Sequence, residues 1–150
     1  VILVAVGTTD FDALLRAMDV LGASLSENVV MQIGRGRYIP EHCEYFRFAP
    51  SLRPYYEQAS LVVSHGGLGI VTEVLSIGRP LVAVEDPDQP DRHQREILGI
   101  WEQEGHLVWC KNLRKLPEAI AEARLRRFRP YASPECQIHG IVTEFLGSLR

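Results

Sequence analysis

The chain has 150 residues, 46% of them hydrophobic and 23% charged, with a formal net charge of −3. That length suits one core-bearing domain, the composition excludes a disordered or fibrous chain, and the mildly acidic balance gives no reason to expect nucleic acid, whose phosphates require a basic face. No apolar run approaches the roughly 20 residues of a spanning helix, no signal-peptide pattern opens the chain, and the cysteines (Cys43, Cys110, Cys136) lack metal-ligand spacing and read as reduced thiols of a cytoplasmic protein.

Short β-branched runs alternate with amphipathic stretches. Residues 1–6 read as a buried strand ended by Gly7-Thr8-Thr9. Asp10 is placed to cap a helix whose apolar positions Phe11, Leu14, Leu15, Met18 and Leu21 recur at helical spacing. A second strand over 29–33 stops at Gly34-Arg35-Gly36, and a third over 45–48 precedes Pro50 and a short helix over 52–58. A fourth strand, 61–64, runs into His65-Gly66-Gly67-Leu68-Gly69. The helix that follows buries Ile70, Val71, Val74 and Leu75 and is stopped by Gly78 and Pro80. A fifth strand over 81–84 leads through a polar loop, 85–92, to a helix over 93–103 and a short strand over 107–109. Residues 114–150 read as a helical C-terminal part, with helices over about 116–126 and 135–149. There is no repeat or linker, so 1–150 is expected to be one domain.

Continuous apolar strands separated by helices imply a mainly parallel α/β sheet covered on both faces, a Rossmann-like arrangement. Ligands of such sheets bind outside the carboxyl ends of the strands. Nearly every glycine-rich or polar segment of the chain falls on that rim.

The sharpest signal there is Ser64-His65-Gly66-Gly67-Leu68-Gly69 followed by Glu73. A strand turning into a helix through glycines exposes backbone N–H groups to an anion at the positive end of the helix dipole. Glu73, one turn on, suits the hydroxyls of a ribose. The loop lacks the Gly-Lys-Ser/Thr of a Walker A motif. It does approximate a dinucleotide fingerprint, with Glu85 at the end of the next strand, although Thr72 stands at the third glycine position. Alone, it leaves open phosphate binding, a NAD-binding module and a plain strand–helix turn. Asp91-Arg92-His93-Gln94 either caps a helix or presents His93 and Gln94 to sugar hydroxyls. Asp86-Pro87-Asp88 spells a D-x-D that reads as chance in this loop, so neither a metal nor another cofactor is expected. His65 is a candidate for phosphate contact and a weak one for a catalytic base; no Ser-His-Asp or Cys-His arrangement is evident, and the catalytic residues are otherwise unknown. The basic run Arg124, Arg126, Arg127 and Arg129 reads as a solvated helix end or as a docking patch for an anionic surface.

Taken together and in order, Val4-x-Val6-Gly7-Thr8-Thr9, the Ser-His-Gly-Gly-x-Gly loop, Glu73, Gly78-Arg79-Pro80 and Asp91-Arg92-His93-Gln94 resemble the C-terminal domain of glycosyltransferase family 28. The chain is similar in particular to the stand-alone small subunits of two-component enzymes, among them the dolichol-pathway N-acetylglucosaminyltransferase and bacterial exopolysaccharide glycosyltransferases. The resemblance spans about 1–113 and implies the C-terminal half of a GT-B enzyme that binds a UDP-sugar. It implies that Gly66, Gly67, Leu68 and Gly69 hold the diphosphate, Glu73 the ribose, and Asp91, His93 and Gln94 the donor sugar. It places the backbone of Ala49 against uracil and Gly7, Thr8, Gly34 and Arg35, within Gln32-Ile33-Gly34-Arg35, along the nucleotide. The acceptor-binding half, with the general base, is then expected on a separate membrane-anchored subunit that recruits this cytoplasmic chain to the cytoplasmic membrane face and completes an inverting hexosyltransferase. A non-catalytic nucleotide- or NAD-binding module and a sugar-nucleotide epimerase relative are the alternatives.

Overall fold

The computed structural model of the chain describes residues 1–88 and 91–131. Among these residues six strands form one sheet: β1 (Ile2–Ala5), β2 (Val29–Gln32), β3 (Glu44–Phe46), β4 (Leu61–His65), β5 (Leu81–Val84) and β6 (Val108–Cys110). All neighbours pair in parallel, in the spatial order β3-β2-β1-β4-β5-β6. The register runs outward from β1, with Val4 opposite Met31 on one side and Val63 on the other. The connections carry the helices α1 (Asp12–Gly22), α2 (Arg53–Gln58), α3 (Leu68–Ile77), α4 (Arg92–Gln103) and α5 (Leu116–Leu125).

Strand alternation divides the core between the two faces of the sheet. Ile2 and Val4 pack with Leu14, Leu15 and Met18 of α1 and with Leu116 and Ile120 of α5. Leu3 and Ala5 point the other way, onto Tyr56 of α2, Val71 and Val74 of α3 and Leu98 of α4. This two-sided burial is why the strands read as unbroken apolar runs in the sequence. It bears out the Rossmann-like α/β expectation with helices on both faces.

Several boundaries moved, each for a local reason. Asp10 does not cap α1: Phe11 occupies the N-cap position, with no side-chain cap bond. Phe11 is buried in the core, and burying an aromatic ring outweighs a cap worth about 1 kcal/mol. Asp12, now in the first turn, accepts from the Arg37 N–H at 3.0 Å. β3 ends at Phe46 because the Arg47 carbonyl turns to accept from Gly34 N–H (3.1 Å) and Gln32 Nε2 (2.7 Å). β6 is displaced by one residue, to Val108–Cys110, and its Trp109 N–H is covered by Glu102 Oε2 at 2.6 Å. Gly78 closes α3 in the left-handed region, φ +81°, as expected. Two of the four arginines of the basic run are paired, Arg124 with Glu27 and Arg126 with Glu122. The helix expected over 135–149 lies outside the described residues.

One polar anchor sits under the β2–β3 connection. Asp19 of α1 is fully buried and accepts from Tyr38 Oη (2.6 Å) and from the N–H groups of Glu41 (2.7 Å) and His42 (2.9 Å). Burial alone would raise this carboxyl, but the three hydrogen bonds outweigh it and hold it below its ordinary value.

Candidate functional site

The strand order reverses between β1 and β4, and a reversal of this kind opens a crevice beyond the carboxyl ends of the strands. Two corners face each other across it.

The corner at the ends of β1, β2 and β3 is tied together by Gln32. Its Oε1 accepts from Val6 N–H (3.0 Å) and Gly7 N–H (2.7 Å), while Nε2 donates to the carbonyls of Gly7 (2.8 Å) and Arg47 (2.7 Å). One buried amide thus satisfies both of its ends by joining three strand termini. Gly34, at φ +56°, fits because a Cβ there would lie 2.5 Å from the Thr9 carbonyl and 2.7 Å from that of Gly7. Arg47 Nη1 donates to the Gly34 carbonyl at 3.2 Å, and Arg35 N–H donates to Thr9 O at 3.1 Å. The backbone polar groups of Gly7 and Gly34 are therefore engaged inside the fold. Thr8 and the Arg35 side chain are exposed on the rim. Ala49, just past β3, is half-buried, and its N–H and C=O make no backbone hydrogen bond among the described residues.

The opposite corner is the turn from β4 into α3. Gly66 N–H donates to Val84 O at 3.0 Å and Gly67 N–H to His65 Nδ1 at 3.0 Å. Packing is close at both glycines: a Cβ on Gly66 would meet the end of the Leu98 side chain at 2.8 Å, and one on Gly67 would overlap the His65 ring. Gly69 differs, since a Cβ there meets nothing within 4 Å and its φ is helical. No side chain caps α3. The first-turn N–H groups of Leu68, Gly69 and Ile70 consequently have no partner among the described residues. They are a set of free donors at the positive end of a helix dipole. Glu73 stands exposed one turn further along α3.

His65 lies at the mouth of this corner. Because its Nδ1 accepts from Gly67, the neutral ring carries its proton on Nε2 and presents a donor. Burial pushes its pKa below the usual imidazole value, and the charge of Asp86 only partly opposes this. In this tautomer the ring can donate to an anion but has no free nitrogen with which to act as a base.

Past β5, Asp91 caps α4 by accepting from Gln94 N–H at 3.1 Å. The cap holds Gln94 over the glycine turn, with Oε1 3.4 Å from where a Gly66 Cβ would stand. Gln94 and Asp91 join His65, Gly66, Thr9, Asp10, Phe11 and Asp86 around a pocket of about 160 Å³. His93 is exposed and does not line it. Thr9, Asp10, Phe11 and Asp86 were not singled out as ligand contacts by sequence; their position immediately after β1 and β5 was the available signal. Glu85 is held by Arg95 at 2.7 Å and is only 12% exposed. Within the D-x-D, Asp86 Oδ1 accepts from Asp88 N–H at 2.9 Å in a local turn.

Residues 1–144 match the model of the glycosyltransferase family 28 C-terminal domain. The chain belongs to this family. It is 35% identical over 122 residues to the human UDP-N-acetylglucosamine transferase subunit ALG13, an alignment covering 73% of this chain and 11% of that protein. The mouse counterpart is 34% identical over 120 residues, covering 71% of this chain and 10% of the relative. The chain thus spans about a tenth of the length of these curated relatives. Among solved structures, Acinetobacter baumannii MurG superposes with a TM-score of 0.63 at 21% identity, over 83% of this chain and 42% of that one. The solution structure of ALG13 gives 0.61 at 13% identity, covering 94% and 92%. These two share the fold: a Rossmann-like parallel sheet of the kind found in GT-B glycosyltransferases. No helix among the described residues of this family 28 domain is long and apolar enough to cross a membrane.

Proposed function

We propose that the chain is the donor-binding part of an inverting glycosyltransferase, which moves a hexose-type sugar from a UDP donor to a lipid-linked or polysaccharide acceptor. The observation that carries this reading is the uncapped start of α3. Three N–H groups, of Leu68, Gly69 and Ile70, have no partner among the described residues and follow directly on His65, whose Nε2 is a donor, with the carboxylate of Glu73 one turn beyond. That set suits a diphosphate joined to a ribose. Oriented amides of this kind stabilise the charge that develops on a departing nucleoside diphosphate, with no reorganisation during the reaction.

The neighbouring pocket suits the sugar. Asp10, Asp86 and Asp91 repel phosphate yet accept from hydroxyls, and the Gln94 amide can do both. At about 160 Å³ the pocket holds less than a whole nucleotide sugar, whose sites run to roughly 300–1,000 Å³. The nucleotide would extend along the open rim past Gly7, Thr8, Gly34 and Arg35 toward the free backbone of Ala49. Gly66 and Gly67 then contribute shape rather than donors, since their amides are already engaged.

The dinucleotide alternative is disfavoured by two contacts. Glu85, the residue that would take the ribose of NAD, is neutralised by Arg95. Thr72, at the third glycine position, donates its hydroxyl back to Leu68 O at 2.8 Å. Calorimetric titration with UDP, ADP and NAD tests the choice: UDP should bind tightest, and equal affinity for all three would refute the site.

An open rim forms one wall of a cleft, and sugar transfer requires donor and acceptor to be held together away from water. We therefore assign the acceptor and its general base to a membrane-anchored partner subunit, which would bring this chain to the cytoplasmic membrane face. The word "subunit" in the name of the human relative supports this. Sugar transfer by the purified chain alone would contradict it.

A further inference from the structure

We infer that the donor-sugar pocket selects by charge: the carboxylates of Asp10, Asp86 and Asp91 reject a sugar that carries a carboxylate of its own, so the pocket takes uncharged sugars and excludes uronic acids. The inference rests on the donor-site reading above and names the class of sugar within it.

The three acids come from separate segments of the chain. Asp10 follows β1, Asp86 follows β5 and Asp91 caps α4, yet all three line the same space of about 160 Å³. A charge placed inside so small a space stays within reach of each of them. None of the three takes part in an ion pair among the described residues. The arginines nearest in sequence, on α4, are committed elsewhere: Arg92 to Glu96 at 3.3 Å and Arg95 to Glu85 at 2.7 Å. Neither lines the pocket. The two loop residues between Asp88 and Asp91 are Gln89 and Pro90, which carry no charge. His65 supplies no cation either, since burial holds its pKa below the usual imidazole value.

The same acids are arranged to accept from hydroxyls. Asp86 Oδ1 accepts from Asp88 N–H at 2.9 Å and Asp91 Oδ1 from Gln94 N–H at 3.1 Å. These bonds fix both carboxyls and leave the second oxygen of each to a ligand, while Asp10 stands exposed at the rim. A sugar hydroxyl can donate to such oxygens, whereas a carboxylate only accepts. A site for a uronic acid is built the opposite way, around a guanidinium or charge-assisted N–H donors. Acids beside a diphosphate site weaken the hold on the donor's phosphates, and such a loss is worthwhile where it discriminates against a competing ligand.

The test is calorimetry on the full chain with UDP, UDP-glucose and UDP-glucuronate. The two sugars share their stereochemistry and differ at C6, a hydroxymethyl group in one and a carboxylate in the other. The wild-type chain should bind UDP-glucuronate about 10- to 100-fold more weakly than UDP-glucose, with a smaller gap at high salt. Asp10→Asn and Asp86→Asn should each tighten UDP-glucuronate about 3- to 10-fold and leave plain UDP within about 2-fold; Asp91 stays intact because it caps α4. Equal affinity for the two sugars, with UDP itself binding, overturns the charge selection alone. A gap that survives unchanged in the double variant Asp10→Asn/Asp86→Asn also overturns it, because shape would then be the cause. Failure of plain UDP to bind overturns the donor-site reading and this inference with it.

Discussion

The two glycine-rich corners of the crevice look alike in sequence and differ in what they leave free. At Gly34 the backbone is in the left-handed region, a Cβ would collide with two carbonyls, and the N–H and C=O are both bonded within the fold. At Gly69 the backbone is helical, a Cβ would meet nothing, and the N–H groups of Leu68, Gly69 and Ile70 have no partner among the described residues. The first corner is a structural knot tied by Gln32. The second has donors to offer a ligand. A glycine that the fold does not need is a better pointer to a binding site than one it does.

Exchanging the glycines should show this contrast at its largest. Gly34→Ala is expected to cost at least about 3 kcal/mol of stability, or to prevent folding, because strain and a backbone clash coincide. Gly69→Ala should be neutral or stabilising by about 0.5–1 kcal/mol in urea melts, since alanine favours a helix, yet should weaken UDP. Equal stability losses in the two variants would erase the distinction. Gln32→Ala comes next, at about 2–4 kcal/mol, because Gly7 N–H and the carbonyls of Gly7 and Arg47 lose their side-chain partner and Val6 N–H keeps only its bond to the Gln32 main-chain carbonyl. Glu73→Ala should leave the melting curve unmoved and weaken UDP about 10- to 100-fold by calorimetry, as charge-assisted bonds to the ribose are lost; an unchanged affinity would remove Glu73 from the site. Gln94→Ala should shift the preference among UDP-sugars and leave affinity for plain UDP within about 2-fold, whereas a collapse of UDP binding would show that Gln94 is no sugar contact.

The smallest effect expected is a pH dependence. His65 titrates below the usual imidazole value in the folded chain, so the unfolded chain binds the proton more readily. Stability should therefore fall as pH drops through and below about 6.5, and His65→Gln should flatten that slope. The same protonation would break the Gly67 N–H to Nδ1 bond and disturb the turn. A slope that persists unchanged in the variant would assign it to other groups.

Much of this was legible in the sequence because the sheet is buried on both faces. β5 is where the apolar run of 81–84 placed it, and Gly78 closes α3 as its position suggested. The family and the rim of loops followed from ordered motifs. Three features were not legible, each because it depends on contacts between distant segments. Asp10 lost the capping role when Phe11 was drawn into the core. Gln32 reads as an ordinary strand residue until β1 and β3 lie on either side of it. His93 and Gln94 look equivalent in the motif, but the Asp91 cap orients the helix so that Gln94 reaches Gly66 and His93 is left exposed.

The most direct test is an amide-resolved NMR titration of the chain with UDP. Free donors at the start of α3 predict that the N–H resonances of Leu68, Gly69 and Ile70 move most, followed by that of Glu73, while those of Gly66 and Gly67, already bonded within the fold, move less. Saturable binding that leaves these three amides unmoved, or an identical response to NAD, would contradict a UDP-sugar site at this corner.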